Sequence, residues 1–211
     1  MSFPMGQLAE QLAHFASRWP DARGDDDGRS FVGIGASSRL WLPYAAPRAQ
    51  RAEPLAAYAG RWAEVRETQF VLLLQAGAVA LGAWADGELV AHKAIRKYVV
   101  RGHGHAQPTH AKTRGKSRYG SRLRLQNWKR LLVDTNERLH EWWSELGAPQ
   151  RVFFSAPVRA WPELWQIDPS PPFVREDARL ERVPIHVHRP DHEELLAVRR
   201  WLERGRLEVG A

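Results

Sequence analysis

The chain has 211 residues, enough for one large domain or for one domain with a small appendage. It contains no cysteine, which excludes a disulfide framework, thiolate catalysis and any cysteine-ligated zinc or iron–sulfur centre. Its net charge of +7 is confined to one stretch: residues 89–133 hold 12 Lys or Arg and no Asp or Glu, so 19 of the 31 basic side chains face all 24 acidic ones elsewhere.

A solvated surface normally mixes signs, so a stretch cleared of every acid implies an anionic partner. The opening Met-Ser-Phe-Pro-Met-Gly-Gln lacks the basic and apolar regions of a secretory leader. The apolar run 70–85 is broken by Gln75 and falls short of the roughly 20 residues of a membrane helix. A cytoplasmic protein is the expectation.

Leu8, Leu12, Phe15 and Trp19 lie at helical spacing and predict a helix over 5–19. Pro20 and the aspartate-rich 21–28 read as an exposed linker, so 1–29 are expected as a helix with an acidic linker and 30–211 as the main domain. Within 30–60 no periodicity decides, and Gly33-Ile34-Gly35 lacks the third glycine of a dinucleotide loop. From residue 68 the pattern sharpens. Two apolar runs, 69–74 and 79–84, flank Gln75-Ala76-Gly77, and Asp86-Gly87 turns the chain into a third strand over 89–101. The polar stretch 102–116 is too long for a tight turn. Leu125, Trp128, Leu132, Thr135, Leu139, Trp142 and Leu146 then step by three and four into a long helix that Gly147 and Pro149 end.

Further on, 152–156 reads as a buried strand, 160–165 as a short helix and 182–187 as a fifth strand. Asp191 caps a last helix with Leu195, Val198 and Leu202 on its core face. The fold class expected is α/β, with an antiparallel three-strand meander followed by helical crossovers that add parallel strands. That is the element order of ribonuclease-H-like folds.

The chemistry of such nucleases is not expected here. They need clustered carboxylates for metal ions, yet strand 69–75 and all of 89–133 carry none. His103, His105 and His110, and again His186, His188 and His192, have ligand-like spacing. The first trio sits among cations that repel a divalent ion and lacks an orienting carboxylate pattern, and the second brackets a strand end, where alternate residues split between a core-facing pair and one solvent residue, so no metal and no cofactor are expected. There is no Gly-x-Ser-x-Gly elbow either.

What remains is the polar stretch before the long helix. Lys97-Tyr98-Val99-Val100-Arg101, Gly104-His105-Ala106-Gln107 and Tyr119-Gly120-Ser121-Arg122-Leu123-Arg124 with Asn127 resemble the release-factor-like domain of the Vms/ankyrin-zinc-finger proteins of ribosome quality control. That domain is similar in turn to the Gly-Gly-Gln-bearing middle domain of eukaryotic and archaeal peptide-chain release factors. Asp177-x-Arg179-Leu180, Val183-Pro184 and Arg189-Pro190 followed by Glu194-Leu195 extend the resemblance over about residues 68–202. After Arg124 the family usually continues Arg-Tyr-Asn-Glu, where this chain has Leu125, Gln126, Asn127 and Trp128.

The resemblance implies a catalytic Gln107 on a loop shaped by Gly102, Gly104, His105 and Ala106. It also implies phosphate contacts from Arg101, Lys112, Lys116, Arg118, Arg122 and Arg124, with peptidyl-tRNA and the ribosome, its large subunit in particular, as partners. A glutamine amide does not titrate, so it acts by positioning and hydrogen bonding and needs no metal. The implied activity is nascent-chain release from stalled peptidyl-tRNA, by ester hydrolysis or by cutting the tRNA near its 3′ end. The alternative is a non-catalytic RNA- or ribosome-binding module with the same fold.

Overall fold

The computed structural model describes residues 1–33, 37–98 and 116–210, with 116–120 described by their backbone alone. The chain forms two compact units. One comprises residues 1–66 with 196–211, the other residues 67–195. This division differs from the expected boundary at residues 29 and 30.

The larger unit is built on one mixed sheet. Strands β5 (Thr68–Gln75), β6 (Ala78–Ala85) and β7 (Glu88–Arg96) form the expected antiparallel meander. Gly77 turns the first hairpin at φ +85°. Asp86 and Gly87 turn the second with both residues left-handed, as a two-residue turn between right-twisted strands requires. Strand β8 (Arg151–Ser155) pairs parallel to β5, and β9 (Leu180–Arg182) parallel to β8, giving the order β7-β6-β5-β8-β9. The mixed α/β class expected from the pattern is therefore the class observed.

Helix α3 (Lys116–Leu146) is 31 residues long, about 46 Å at 1.5 Å per residue, and supplies the crossover from β7 to β8. Leu132, Thr135, Leu139 and Trp142 are buried as the spacing predicts, and Leu132, Leu139 and Trp142 pack with Phe70, Leu72, Leu74, Val79 and Leu81 in one core. Leu131 and Asn136 are buried as well. The Asn136 amide donates to the carbonyls of Leu164 and Pro169, both at 2.8 Å, and so ties the helix to the 3-10 turn Trp161–Gln166. Gly147, at φ +79°, ends the helix. The predicted seam fails at one point: Leu125 is 58% exposed, because α3 begins before it has a sheet to lie on.

Two strand boundaries also move. The third strand ends at Arg96, and residues 99–101, expected within it, lie outside the described residues. The fifth strand is Leu180–Arg182 rather than 182–187, where Pro184 cannot donate to a ladder.

The smaller unit has a core of its own. Strand β1 (Ser2–Pro4) leads through a 3-10 turn at Met5–Gln7 into α1 (Leu8–Arg18), which shortens the helix expected over 5–19. Strands β2 (Arg23–Gly24), β3 (Ser30–Val32) and β4 (Arg39–Trp41) precede α2 (Leu55–Ala63). After α4 (His192–Leu202), β10 (Arg204–Glu208) completes an antiparallel sheet in the order β1-β10-β4-β3-β2. Phe3, Leu8, Leu12, Phe15, Phe31 and Leu40 pack together with Leu55 and Tyr58 of α2. Asp191 caps α4 through the Glu194 amide at 3.0 Å, and Leu195, Val198 and Leu202 are buried as expected.

The acidic stretch 21–28 is not a free linker. Asp25 Oδ1 accepts from the amides of Arg29 (2.9 Å) and Ser30 (3.2 Å), and Oδ2 accepts from the Ser30 hydroxyl at 2.5 Å. The stretch folds because one of its aspartates satisfies the turn that delivers β3. Among the described residues no helix is long and apolar enough to cross a membrane.

A carboxylate pins the edge of the larger sheet. The Asp177 oxygens accept from Arg179 Nε (2.9 Å), its second guanidinium nitrogen (2.6 Å) and its backbone amide (2.9 Å), and the guanidinium lies 4.9 Å from the Trp143 ring centre. The Arg179 hydrogen bonds outweigh partial burial and lower the Asp177 pKa from 3.8 to about 2. A lowered carboxyl pKa contributes stability that is complete above pH ~4 and fades as pH falls toward 2. Asp177→Asn is expected to lower stability at pH 7 by about 1 kcal/mol, allowing for solvent screening, and to flatten the wild-type decline between pH 4 and 2. Thermal melts across that range measure both.

Candidate nucleic-acid interface

Half of the 12 cations of the acid-free stretch lie on α3. Lys116 and Arg118 occupy its first turns, Arg122, Lys129 and Arg130 are exposed, and Arg124 is half-buried. None of residues 121–130 is buried: Trp128 packs half-buried against the core, and Ser121, Arg122, Leu125, Gln126, Lys129 and Arg130 are exposed. Lys93 and Arg96 lie on β7 and Lys97 just beyond it. Gln107, Gly102, Gly104, His105 and Ala106, with Arg101 and Lys112, fall within 99–115, outside the described residues.

The structure does describe the roots of that segment. Asn127 of α3 donates from Nδ2 to the Tyr98 carbonyl at 2.8 Å. Lys97 Nζ pairs with Asp134 Oδ2 of α3 at 2.8 Å, and its amide donates to the Gly77 carbonyl at 2.9 Å. Arg96 pairs with Asp191 at 2.9 Å. The end of β7 is thus fixed to α3, to the β5–β6 turn and to the residue that caps α4. Of these, Asn127 falls within the family-like sequence, whereas Asp134 and Asp191 gave no local sign of this role, because their partners lie 37 and 95 residues away.

The charges on α3 run against its own dipole. A helix favours carboxylates at its N-terminus and cations at its C-terminus, by roughly 0.3–1 kcal/mol each. Here the first 15 residues carry Lys116, Arg118, Arg122, Arg124, Lys129 and Arg130 without one acid, while Asp134, Glu137, Glu141 and Glu145 follow. The helix dipole gains nothing from this arrangement, since the first turn carries no acid and the last turn no base. Burial of Leu131, Leu132, Thr135, Leu139 and Trp142 holds the helix in spite of it.

The histidines do not converge. His192 lies against His92 with ring centres 4.2 Å apart and the planes tilted by 34°, while His186 and His188 meet edge to face at 4.9 Å. Among the described residues no group of three His, Asp or Glu is arranged to hold a metal ion. His103, His105 and His110 lie outside them.

Comparison with known proteins bears on this region. A family model described as the Bacteroidetes VLRF1 release factor matches residues 69–209. The tRNA endonuclease ANKZF1 of Mus musculus is 34% identical over 132 residues, which are 61% of this chain and 18% of that protein. The chain thus spans less than a fifth of the length of this curated relative. Among solved structures, the Vms1 mitochondrial localization core aligns with a TM-score of 0.52 at 14% identity, over 97% of this chain and 84% of that one, a likeness of fold. The motifs read between residues 97 and 195 all lie inside the family match.

The reversed charge pattern has a measurable consequence. Replacing Lys116 and Arg118 with Gln removes two cations from the positive end of the dipole while keeping good helix formers. The double variant is expected to melt slightly above wild type, by about 0.5–1 kcal/mol at low ionic strength, with the gain shrinking as salt is added. A melt below wild type at low salt defeats the dipole argument.

Proposed function

This chain belongs to the Bacteroidetes VLRF1 release factor family, and from that premise we propose that it frees nascent chains from stalled ribosomal complexes by acting on peptidyl-tRNA, with Gln107 as the catalytic residue. The observation that carries the reading is the acid-free basic stretch, which brackets Gln107 and continues onto the exposed part of α3 against the helix dipole. An acceptor stem, with a phosphate charge every few ångströms, is the partner that such a surface fits. Arg101, Lys112, Lys116, Arg118, Arg122 and Arg124 contact its phosphates and, with them, ribosomal RNA of the large subunit. Phosphate contacts of this kind position an RNA without reading its sequence.

At the reacting bond Gln107 neither takes nor gives a proton, since an amide does not titrate. It orients the nucleophile and stabilises developing charge by hydrogen bonding, which is positioning and electrostatic catalysis. Gly102, Gly104, His105 and Ala106 shape the backbone around it, the glycines by permitting close approach to the substrate. Two bonds are within reach of such a catalyst: the ester joining peptide to tRNA, attacked by water, and a phosphodiester near the tRNA 3′ end, attacked by the neighbouring ribose 2′-oxygen with departure of the 5′-oxygen. The second is favoured by the likeness to a protein named a tRNA endonuclease. No step requires a cofactor from this chain.

The test is incubation with nascent-chain–tRNA on large ribosomal subunits, followed by identification of the tRNA 3′ end. A shortened tRNA ending in a cyclic phosphate is expected; an intact 3′ terminus means ester hydrolysis. Gln107→Ala is expected to lower the release rate by about 10²–10³-fold, as removal of a preorganised donor does, with binding and thermal stability nearly unchanged. Full activity in that variant removes Gln107 from the chemistry and leaves the non-catalytic binding module.

Neutralising Lys116, Arg118 and Arg122 together is expected to weaken binding of unrelated RNA duplexes about equally. The slope of log affinity against log salt becomes shallower by about one unit for each phosphate that is no longer neutralised. An unchanged slope with undiminished affinity means that this face of α3 does not touch RNA.

A further inference from the structure

Beside the root of the 99–115 segment, within the larger unit, lies an open concavity of about 490 Å³. Arg96, Lys97, Tyr98, Arg189 and Pro190 line it, together with residues 75–78 around the β5–β6 turn. Its described lining contains three cations, one aromatic ring and no carboxylate. A second concavity of about 440 Å³ on the same unit makes the contrast. There Lys93, Arg96 and Arg138 are matched by Asp134, Glu137 and Glu141, so it offers an anion nothing.

The three cations differ in how they are held. Arg96 and Lys97 are anchored by Asp191 and Asp134, and neither acid lines the concavity. Arg189 is exposed and makes no hydrogen bond or ion pair with any described residue. Among the described residues nothing competes for its guanidinium, whose planar fork matches a bidentate bond to a phosphate. Tyr98 is 55% exposed although its backbone is fixed by Asn127, so a ring with a π-face stands open on a rigid stem. A volume of this size lies in the range of small-ligand sites. A guanidinium without a partner among the described residues and an exposed aromatic ring, in a described lining without carboxylates, are groups that together hold a nucleotide, one for the phosphate and one for the base.

We propose that this concavity is a nucleotide subsite that receives the single-stranded 3′ end of the tRNA, with Arg189 on a phosphate and the Tyr98 ring stacked on a base. This rests on the reading of the chain as a tRNA-acting factor and gives that reading a second point of attachment beside Gln107. Arg189 and Tyr98 are positioning residues: they hold the unpaired strand and take no part in the chemistry assigned to Gln107. The duplex phosphates fall to α3 and the unpaired end to this subsite.

Fluorescence anisotropy with two acceptor-stem minihelices, one ending in a four-nucleotide single-stranded 3′ overhang and one trimmed flush, tests the assignment. Wild type is expected to bind the overhang form about 10-fold more tightly, the scale of one stacked base. Arg189→Ala and Tyr98→Ala are expected to erase most of that preference without changing affinity for the flush form, whereas Tyr98→Phe keeps it. Gln107→Ala also keeps it, because that residue serves the chemistry. Adenosine 5′-monophosphate is expected to compete with the overhang form, and competition by inorganic phosphate at equal concentration to the same degree overturns the nucleotide assignment. Equal binding of the two minihelices by wild type, or full preference in both alanine variants, overturns the subsite and leaves the reading of Gln107 standing. A wild-type protein that binds neither minihelix overturns both.

Discussion

Everything in the larger unit depends on β5 being buried on both faces. Phe70, Leu72 and Leu74 look toward α3, while Val71 and Leu73, pointing the other way, are equally inaccessible. The strand is paired along both edges, antiparallel to β6 and parallel to β8. A strand so enclosed cannot hold unpaired carboxylates, because each buried charge carries a large desolvation penalty. The element order shared with ribonuclease-H-like folds is kept, and the place where a metal nuclease begins its acid cluster is filled with hydrocarbon. Polar chemistry is thereby displaced to the rim of the sheet, where β7 ends and α3 begins.

At that rim, specificity of position comes from a few long-range pairs. Arg96 with Asp191, Lys97 with Asp134 and Asn127 with the Tyr98 carbonyl each join residues from different elements. The two ion pairs lie at the surface, and such pairs add little to stability; their effect is to fix where the chain leaves the sheet. The charges of α3 belong to the same logic. Cations at its beginning and acids toward its end both oppose the dipole, so the helix relies on the burial of Leu131, Leu132, Leu139 and Trp142. A sequence chosen for stability alone places those charges the other way.

The smaller unit shows why a chain can hide half of its organisation. Its sheet is closed by β10, which pairs with β1 and with β4 from the opposite end of the sequence. Strands of two to three residues, such as Arg23–Gly24 and Arg39–Trp41, are too short to display alternation. Tyr58 sits fully buried with its hydroxyl donating to the Pro47 carbonyl at 2.8 Å, and nothing in residues 30–60 marks it as a core residue. Asp25 is the same lesson in a polar residue: one aspartate of a run that looks like solvated linker becomes the acceptor that holds a turn.

By itself the sequence determined what local periodicity and chemistry can encode. The meander, its Asp86-Gly87 turn, the long helix with Leu132, Leu139 and Trp142 on its inner side, the Asp191 cap and the location of the positive charge were all legible, as was the family. These features repeat within a few residues, so steric and solvation preferences write them directly into the chain. Only the tertiary structure decided which residues meet across the fold. The second core, the burial of Asn136, the exposure of Leu125 and the gathering of Arg96, Lys97, Tyr98 and Arg189 around one concavity depend on the meeting of positions far apart in the chain. No residue carries a mark of a partner so distant, because that meeting is chosen by the packing of whole elements rather than by the preferences of either side chain.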